Sequence, residues 1–176
     1  RTGAHLAHGP GRAAAVFLGR PLADLKLVTL HIGNGASAAA IKGGRSVDTS
    51  MGFTPLEGLV MGTRCGSIDP AIPQFVEGHE KIGWEVMDNI LNKRSGLLGI
   101  TGRFSDRREI QTAADGGDAR CRLALDIEVR TLQKHVGAYA AAMGGIDALV
   151  FTAGVGENSA IIRGRVLDGL GFLGMK

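Results

Sequence analysis

With 176 residues, 44% of them hydrophobic, the chain is long enough for one domain with a core of its own. A net charge of +3 suits a protein that handles anionic ligands, yet the charge is too dispersed for a nucleic-acid surface, and no apolar run approaches the length of a membrane span. Glycine at 28 positions follows no period and is interleaved with helical patterns, which predicts many functional turns rather than disorder.

Cys65 and Cys121 lie far apart with no C-x-x-C spacing, as expected for reduced thiols in a soluble, cytoplasmic protein. No charged-then-apolar leader is present, and no internal repeat or low-complexity linker. The sequence opens at Arg1 rather than Met and stops just after a Gly-rich turn, so it reads as a fragment.

In chain order, Gly9-Pro10-Gly11 is expected to break a helix, and Arg12 to Leu18 carries a helical pattern that Gly19-Arg20-Pro21 ends. Leu25 to Ile32 alternates as a strand does, and Gly33-Asn34-Gly35 follows as a tight turn. Asn-Gly between apolar runs is the strongest short-range hairpin signal. Ala36 to Lys42 is the return strand, Gly43-Gly44 a second turn and Arg45 to Thr49 a third strand, giving an antiparallel meander. The glycines around Asn34 leave its backbone amides open to a phosphate, as in an anion nest, although an ordinary hairpin turn has the same pattern. From Ser46 through Gly78 the only basic residue is Arg64, in the Gly-rich run Met61 to Gly66. A lone guanidinium beside a nest suits the oxygens of a transferring phosphoryl group, because it offers five fixed donors and keeps its charge. A solvated surface arginine is the plainer alternative.

Further on, Asp69-Pro70 predicts a helix start, with Asp69 as N-cap and a short helix over Ala71 to Val76. Glu80 to Asn92 reads as a second helix, with Trp84 as a packing anchor rather than a stacking platform. Asn92 to Gly99 reads as a connector. Ser105 is placed as the cap of a helix in whose first turn Asp106 and Glu109 favour the dipole. Asp115-Gly116-Gly117-Asp118 breaks the pattern, and Ala119 to Met143 is the longest helix. Asp147 to Thr152 is a buried strand, Gly154 to Ser159 a turn, and Ala160 to Leu170 a helix. Strand, Gly-rich turn and helix can aim unpaired amides at an anion, although the turn is neither G-x-G-x-x-G nor a Walker A loop and a packing turn fits as well.

Three segments, His31 to Ser37, Asp48 to Gly58 and Met61 to Arg64, resemble the acetate kinase family over a long and nearly ungapped stretch. Ser95 to Gly99 and Phe151 to Asn158 resemble further segments of that family. The resemblance implies an α/β, ribonuclease H-like or actin-like ATPase domain with a mixed sheet, a meander followed by helices and a strand-turn-helix unit. It implies a single nucleotide-binding domain fragment over residues 1–176, in which residues 1–20 match least. By resemblance, His31, Ile32, Gly33, Asn34 and Gly35 line the ATP phosphates, and Gly62 and Thr63 shape the loop that presents Arg64 to the transition state. Asp106, Arg107 and Arg108 contact the adenosine, and Gly154, Val155, Gly156, Glu157 and Asn158 border the nucleotide. The family's first active-site histidine maps onto His5 or, with a different spacing, onto His8.

The function implied is reversible phosphoryl transfer between ATP and acetate, giving ADP and acetyl phosphate. The metal is expected to be Mg²⁺ held by residues outside this chain, the assembly a homodimer, and no nucleic acid or membrane is expected as partner. The resemblance also implies that the fragment alone is inactive. A propionate or butyrate kinase would share the nucleotide motifs, and a non-catalytic nucleotide-binding module of the actin and Hsp70 type would lack a need for Arg64.

Overall fold

The computed structural model describes residues 2–174, with side chains from Gly9 onward. Its centre is a four-stranded mixed sheet of order β3-β2-β1-β4, formed by β1 (Lys26–Ile32), β2 (Ala36–Lys42), β3 (Arg45–Thr49) and β4 (Ala148–Thr152). The first three strands make the expected antiparallel meander, and β4 joins the outer side of β1 in parallel, His31 opposite Thr152.

β1 is buried on both faces because helices cover both. Leu27, with Leu25 and Ile41, packs against Ala14 and Ala15 of α1 (Thr2–Leu18). Val28, Leu30 and Ile32 face the larger core built on α6 (Ala119–Met143). Ala36, Ala38 and Ala40 of β2 sit on that side with Val136, Tyr139 and Met143, so small residues on the strand let the long helix come close. β3 is exposed along its whole length, and its Arg45 and Asp48 suit an edge strand, where charge discourages further pairing.

The termini of the elements differ from the sequence reading in several places. Helix α1 runs through Gly9-Pro10-Gly11 rather than breaking there. Proline removes one backbone donor, and at Gly11 a Cβ would only meet Leu22 Cδ1 in ordinary contact at 3.5 Å. The next helix, α2 (Ala71–Glu80), is longer than expected and ends at Lys81, which adopts a left-handed φ of 53°. Pro70 takes the cap position, and Asp69 Oδ1 accepts the Ala71 N–H at 2.8 Å. The following helix, α3 (Trp84–Lys93), therefore starts four residues late, and Trp84, at its first turn, is 59% exposed rather than a packing anchor. Asp106, not Ser105, caps α5 (Arg107–Asp115), its carboxylate accepting the Arg108 N–H at 2.8 Å. The expected turn at 154–159 is itself helical, α7 (Ala153–Asn158), and leads directly into α8 (Ala160–Asp168).

Sequence pattern predicts only a connector at Ser95 to Gly99, yet the segment forms α4 (Gly96–Thr101) and braces the Arg64 loop. The Ser95, Leu97 and Leu98 N–H groups donate to the carbonyls of Thr63, Met61 and Gly62 at 3.0, 2.8 and 2.9 Å. This contact requires glycine at position 96, where φ is +62° and a Cβ would stand 2.1 Å from the Met61 carbonyl oxygen.

Gly96→Ala should destabilise the fold by about 2–4 kcal/mol, through the left-handed conformation and the backbone collision together. Gly78→Ala, where a Cβ meets nothing within 4 Å, should be neutral or slightly stabilising. Urea unfolding of both variants checks the pair, and equal effects would refute the assignment.

Candidate functional site

Parallel pairing of β1 and β4 brings the ends of both strands to one edge of the sheet, the edge where open α/β folds place their ligands. His31 Nδ1 lies 3.0 Å from Thr152 Oγ1, joining the two strands at their paired C-terminal ends. The Gly33 N–H donates to the Gly35 carbonyl at 2.9 Å and closes the turn around Asn34. The start of α7 touches this turn, since a Cβ on Gly33 would be 3.7 Å from that of Ala153. Ala153 itself is held at a φ of 66°, a conformation that costs an L-residue roughly 1–2 kcal/mol.

A cavity of about 1020 Å³ opens between these turns and the N-terminal ends of α5 and α8. Of the residues expected at the nucleotide, Gly33, Asn34, Asp106, Arg107, Arg108, Gly154, Val155 and Asn158 line it. His31, Ile32, Gly35, Gly156 and Glu157 do not: Ile32 is wholly buried in the core, and Gly156 and Glu157 carbonyls are taken by Arg163 Nη1 at 3.0 and 2.6 Å. Sequence reading missed the wall made by Ser159 to Ile162. The signal was present, because a serine immediately before an apolar helical run is a cap pattern, and Ser159 Oγ accepts the Ile162 N–H at 3.3 Å.

Arg64 stands on the other side of the Asn34 turn. Its Nη1 is 3.5 Å from where a Cβ on Gly35 would lie, and the side chain is half-buried. Among the described residues it has no carboxylate partner. Its loop is fastened to the turn by the Gly62 N–H, which donates to the Asn34 carbonyl at 2.9 Å, and a Cβ on Gly62 would come within 2.2 Å of Asn34 Oδ1. Close approach explains the glycine there. His5, the other expected catalytic residue, and the alternative His8 have side chains outside the described residues.

The charged groups of the α5 end are arranged differently from one another. Asp106 accepts from Arg108 Nε and Nη2 at 3.1 and 2.6 Å, and these bonds, with that of the Arg108 N–H, hold its carboxyl down at about 2. Arg107 turns inward: Nη1 donates to the Gly33 carbonyl at 2.9 Å and Nη2 pairs closely with Glu128 of α6. Burial lowers this guanidinium to about 10, opposed by the charge of Asp106, so it remains cationic at neutral pH. Burial also raises the Cys65 thiol beside the arginine loop, which therefore stays protonated at neutral pH.

Residues 10–176 match the acetokinase family profile. The chain belongs to the acetokinase family. It is 56% identical over 165 residues to the acetate kinase of Geobacter sulfurreducens, an overlap of 94% of this chain and 39% of that protein. The crystal structure of Porphyromonas gingivalis acetate kinase superposes with a TM-score of 0.90 at 46% identity, covering 93% of this chain and 41% of that one. A propionate kinase from Francisella tularensis gives 0.87 at 42% identity, covering 93% and 42%. The chain thus spans about two-fifths of the length of these acetokinase relatives, and its α/β fold with a mixed sheet is theirs. The family match begins at residue 10, after His5.

Because its folded-state carboxyl is depressed, Asp106 contributes cap stability that is complete above the ordinary carboxylate range and lost as pH falls through about 2. Carboxyl-detected NMR titration should find its midpoint near 2 in the unaltered protein and clearly higher in Arg108→Ala; an identical midpoint in the two would contradict the assigned cause.

Proposed function

We propose that these 176 residues are the nucleotide-holding part of an acetate kinase, which moves the terminal phosphoryl group of ATP to a carboxylate oxygen of acetate and back. In the forward direction the bond from phosphorus to the bridging oxygen of ADP breaks while a bond to the acetate oxygen forms, with no net proton change. Such a transfer depends on positioning and charge neutralisation more than on covalent catalysis. The observation that carries the reading is Arg64, half-buried beside Gly35, without a carboxylate partner among the described residues, across a three-residue turn from a cavity of about 1020 Å³. Nucleotide binding alone does not require an arginine held beside that turn.

The turn at Gly33 to Gly35 faces the phosphates, with the Ala153 to Asn158 helix on the other flank and Asp106 with Arg108 toward the nucleoside. His31 supports the turn through Thr152, and Ile32, Gly35, Gly156 and Glu157, which do not line the cavity, flank the residues that do. Among the described residues no group of three or more His, Cys, Asp or Glu side chains could hold a metal. On this reading the ligands of Mg²⁺ belong to residues beyond these, as the family resemblance implies. A homodimer in the cytoplasm, without nucleic acid or membrane partners, completes the proposal; none of the described helices is long and apolar enough to cross a membrane.

Propionate is the second candidate acid, favoured by the 0.87 TM-score of the Francisella protein. Comparing kcat/KM for acetate, propionate and butyrate in the intact protein decides between them.

Arg64→Ala in the intact enzyme should lower turnover by roughly 10³ to 10⁵, the loss found for comparable arginines, while ADP affinity changes little. Unchanged turnover would refute the role. The 176 residues alone should make no acetyl phosphate, yet their unfolding temperature should rise with Mg-ADP, by the equivalent of about 2.7 kcal/mol at a hundredfold excess over Kd. A transition indifferent to Mg-ADP would refute the assignment of the cavity.

A further inference from the structure

Five ion pairs join described residues, and only Arg107–Glu128 is buried, with side chains 7% and 2% exposed. Its satisfaction is incomplete: Arg107 Nε and Glu128 Oε2 are buried without a protein partner. A half-satisfied buried pair is a weak stabilising device, since apolar residues of similar volume commonly do as well or better. Stability alone therefore does not account for it.

Geometry supplies another account. The second arm of the same guanidinium donates to the Gly33 carbonyl, 74 positions away in sequence. Arg107 is the first residue of α5, between Asp106 and Arg108, and Glu128 lies within α6, whose buried face forms much of the main core. The planar fork thus ties three things together: a fixed carboxylate on the core helix, the helix end that carries Asp106 and Arg108, and the first residue of the Asn34 turn. Those last two both line the cavity.

We propose that Arg107 is a positioning residue: clamped by Glu128, it sets the distance between the phosphate-facing turn and the nucleoside-facing end of α5. The inference rests on the nucleotide reading of the cavity for its consequence, though not for its geometry. Asp106 and Arg108 point outward from the same helix turn, and Arg107 has both terminal nitrogens committed to protein. All three residues line the cavity, and of the two arginines only Arg107 spends its terminal nitrogens on spacing the turn from the helix end.

The test uses the intact protein that carries these residues, in three forms: unaltered, Arg107→Lys, and the double variant Arg107→Met with Glu128→Leu. The double variant replaces the ion pair with apolar volume and is expected to melt close to the unaltered protein. Arg107→Lys retains a charge opposite Glu128 but loses the rigid fork. In both, hydrogen exchange at the Gly33 and Gly62 amides, which bond to Gly35 and Asn34 carbonyls, should accelerate about tenfold, and the Kd for ADP should rise about tenfold, the effect of one charge-assisted hydrogen bond. If the double variant fails to fold, Arg107→Lys decides alone. Unchanged exchange at both amides overturns the clamp, whatever ADP does. Faster exchange in the variants, together with an unaltered protein that binds no ADP, upholds the clamp and defeats the nucleotide reading instead.

Discussion

The parallel hydrogen bonding of β4 to β1 is the constraint on which the rest of the site depends. Antiparallel neighbours deliver their ends to opposite edges of a sheet, whereas a parallel pair delivers both to one edge. Here the consequence is that residues 33–35 and 153–158, more than a hundred positions apart, meet beside a common opening. The long connection between the strands contains α6, which covers the sheet, and α5, which packs on α6 and lends its N-terminal end to the cavity. Burial of β1 on both faces fixes the register, because a slip of one residue would exchange the Leu27 face with the Val28, Leu30 and Ile32 face.

A second layer of order comes from main-chain contacts rather than side chains. The Arg64 loop has no regular structure of its own, yet its carbonyls are met one after another by amides of the Ser95 to Leu98 segment. Thr63 Oγ1 adds a bond to the Asn92 carbonyl at 3.1 Å, and Cys65 N–H another to that of Leu91 at 3.0 Å. A loop held in this way can present a cation at a defined place without a carboxylate to neutralise it. On the proposed reading that matters for phosphoryl transfer, where an arginine already paired would be of little use to a developing negative charge.

Much of this was legible in the residues. The meander followed from alternation and from two glycine turns, and the 25-residue helix from its apolar period, with both ends correctly placed. Features set by long-range contacts were not legible. Proline inside α1 is tolerated because the sheet surface holds the helix, something no local pattern reveals. The brace from α4 depends on which backbone groups meet, and a Ser-Gly-Leu-Leu-Gly run looks like a connector whether or not it meets anything. Arg107 illustrates the limit most clearly. An arginine between two charged neighbours at a helix start reads as exposed, and only the position of Glu128, a turn of α6 away from Leu125 and Leu132, shows that it points inward.

The Asn34 turn forms the cavity wall on one side and abuts Arg64 on the other, with no second layer of residues between them. On the proposed reading, grip on the nucleotide and aim of the arginine are then not separately adjustable traits. Any substitution that re-shapes the turn to hold a different nucleotide also moves the group that answers the transferred charge. Evolutionary change in this family member is expected to concentrate where such pleiotropy is absent, at the nucleoside end of the cavity around Arg108, Gln111 and Ile161, leaving the phosphate end as the part that selection cannot tune piecemeal.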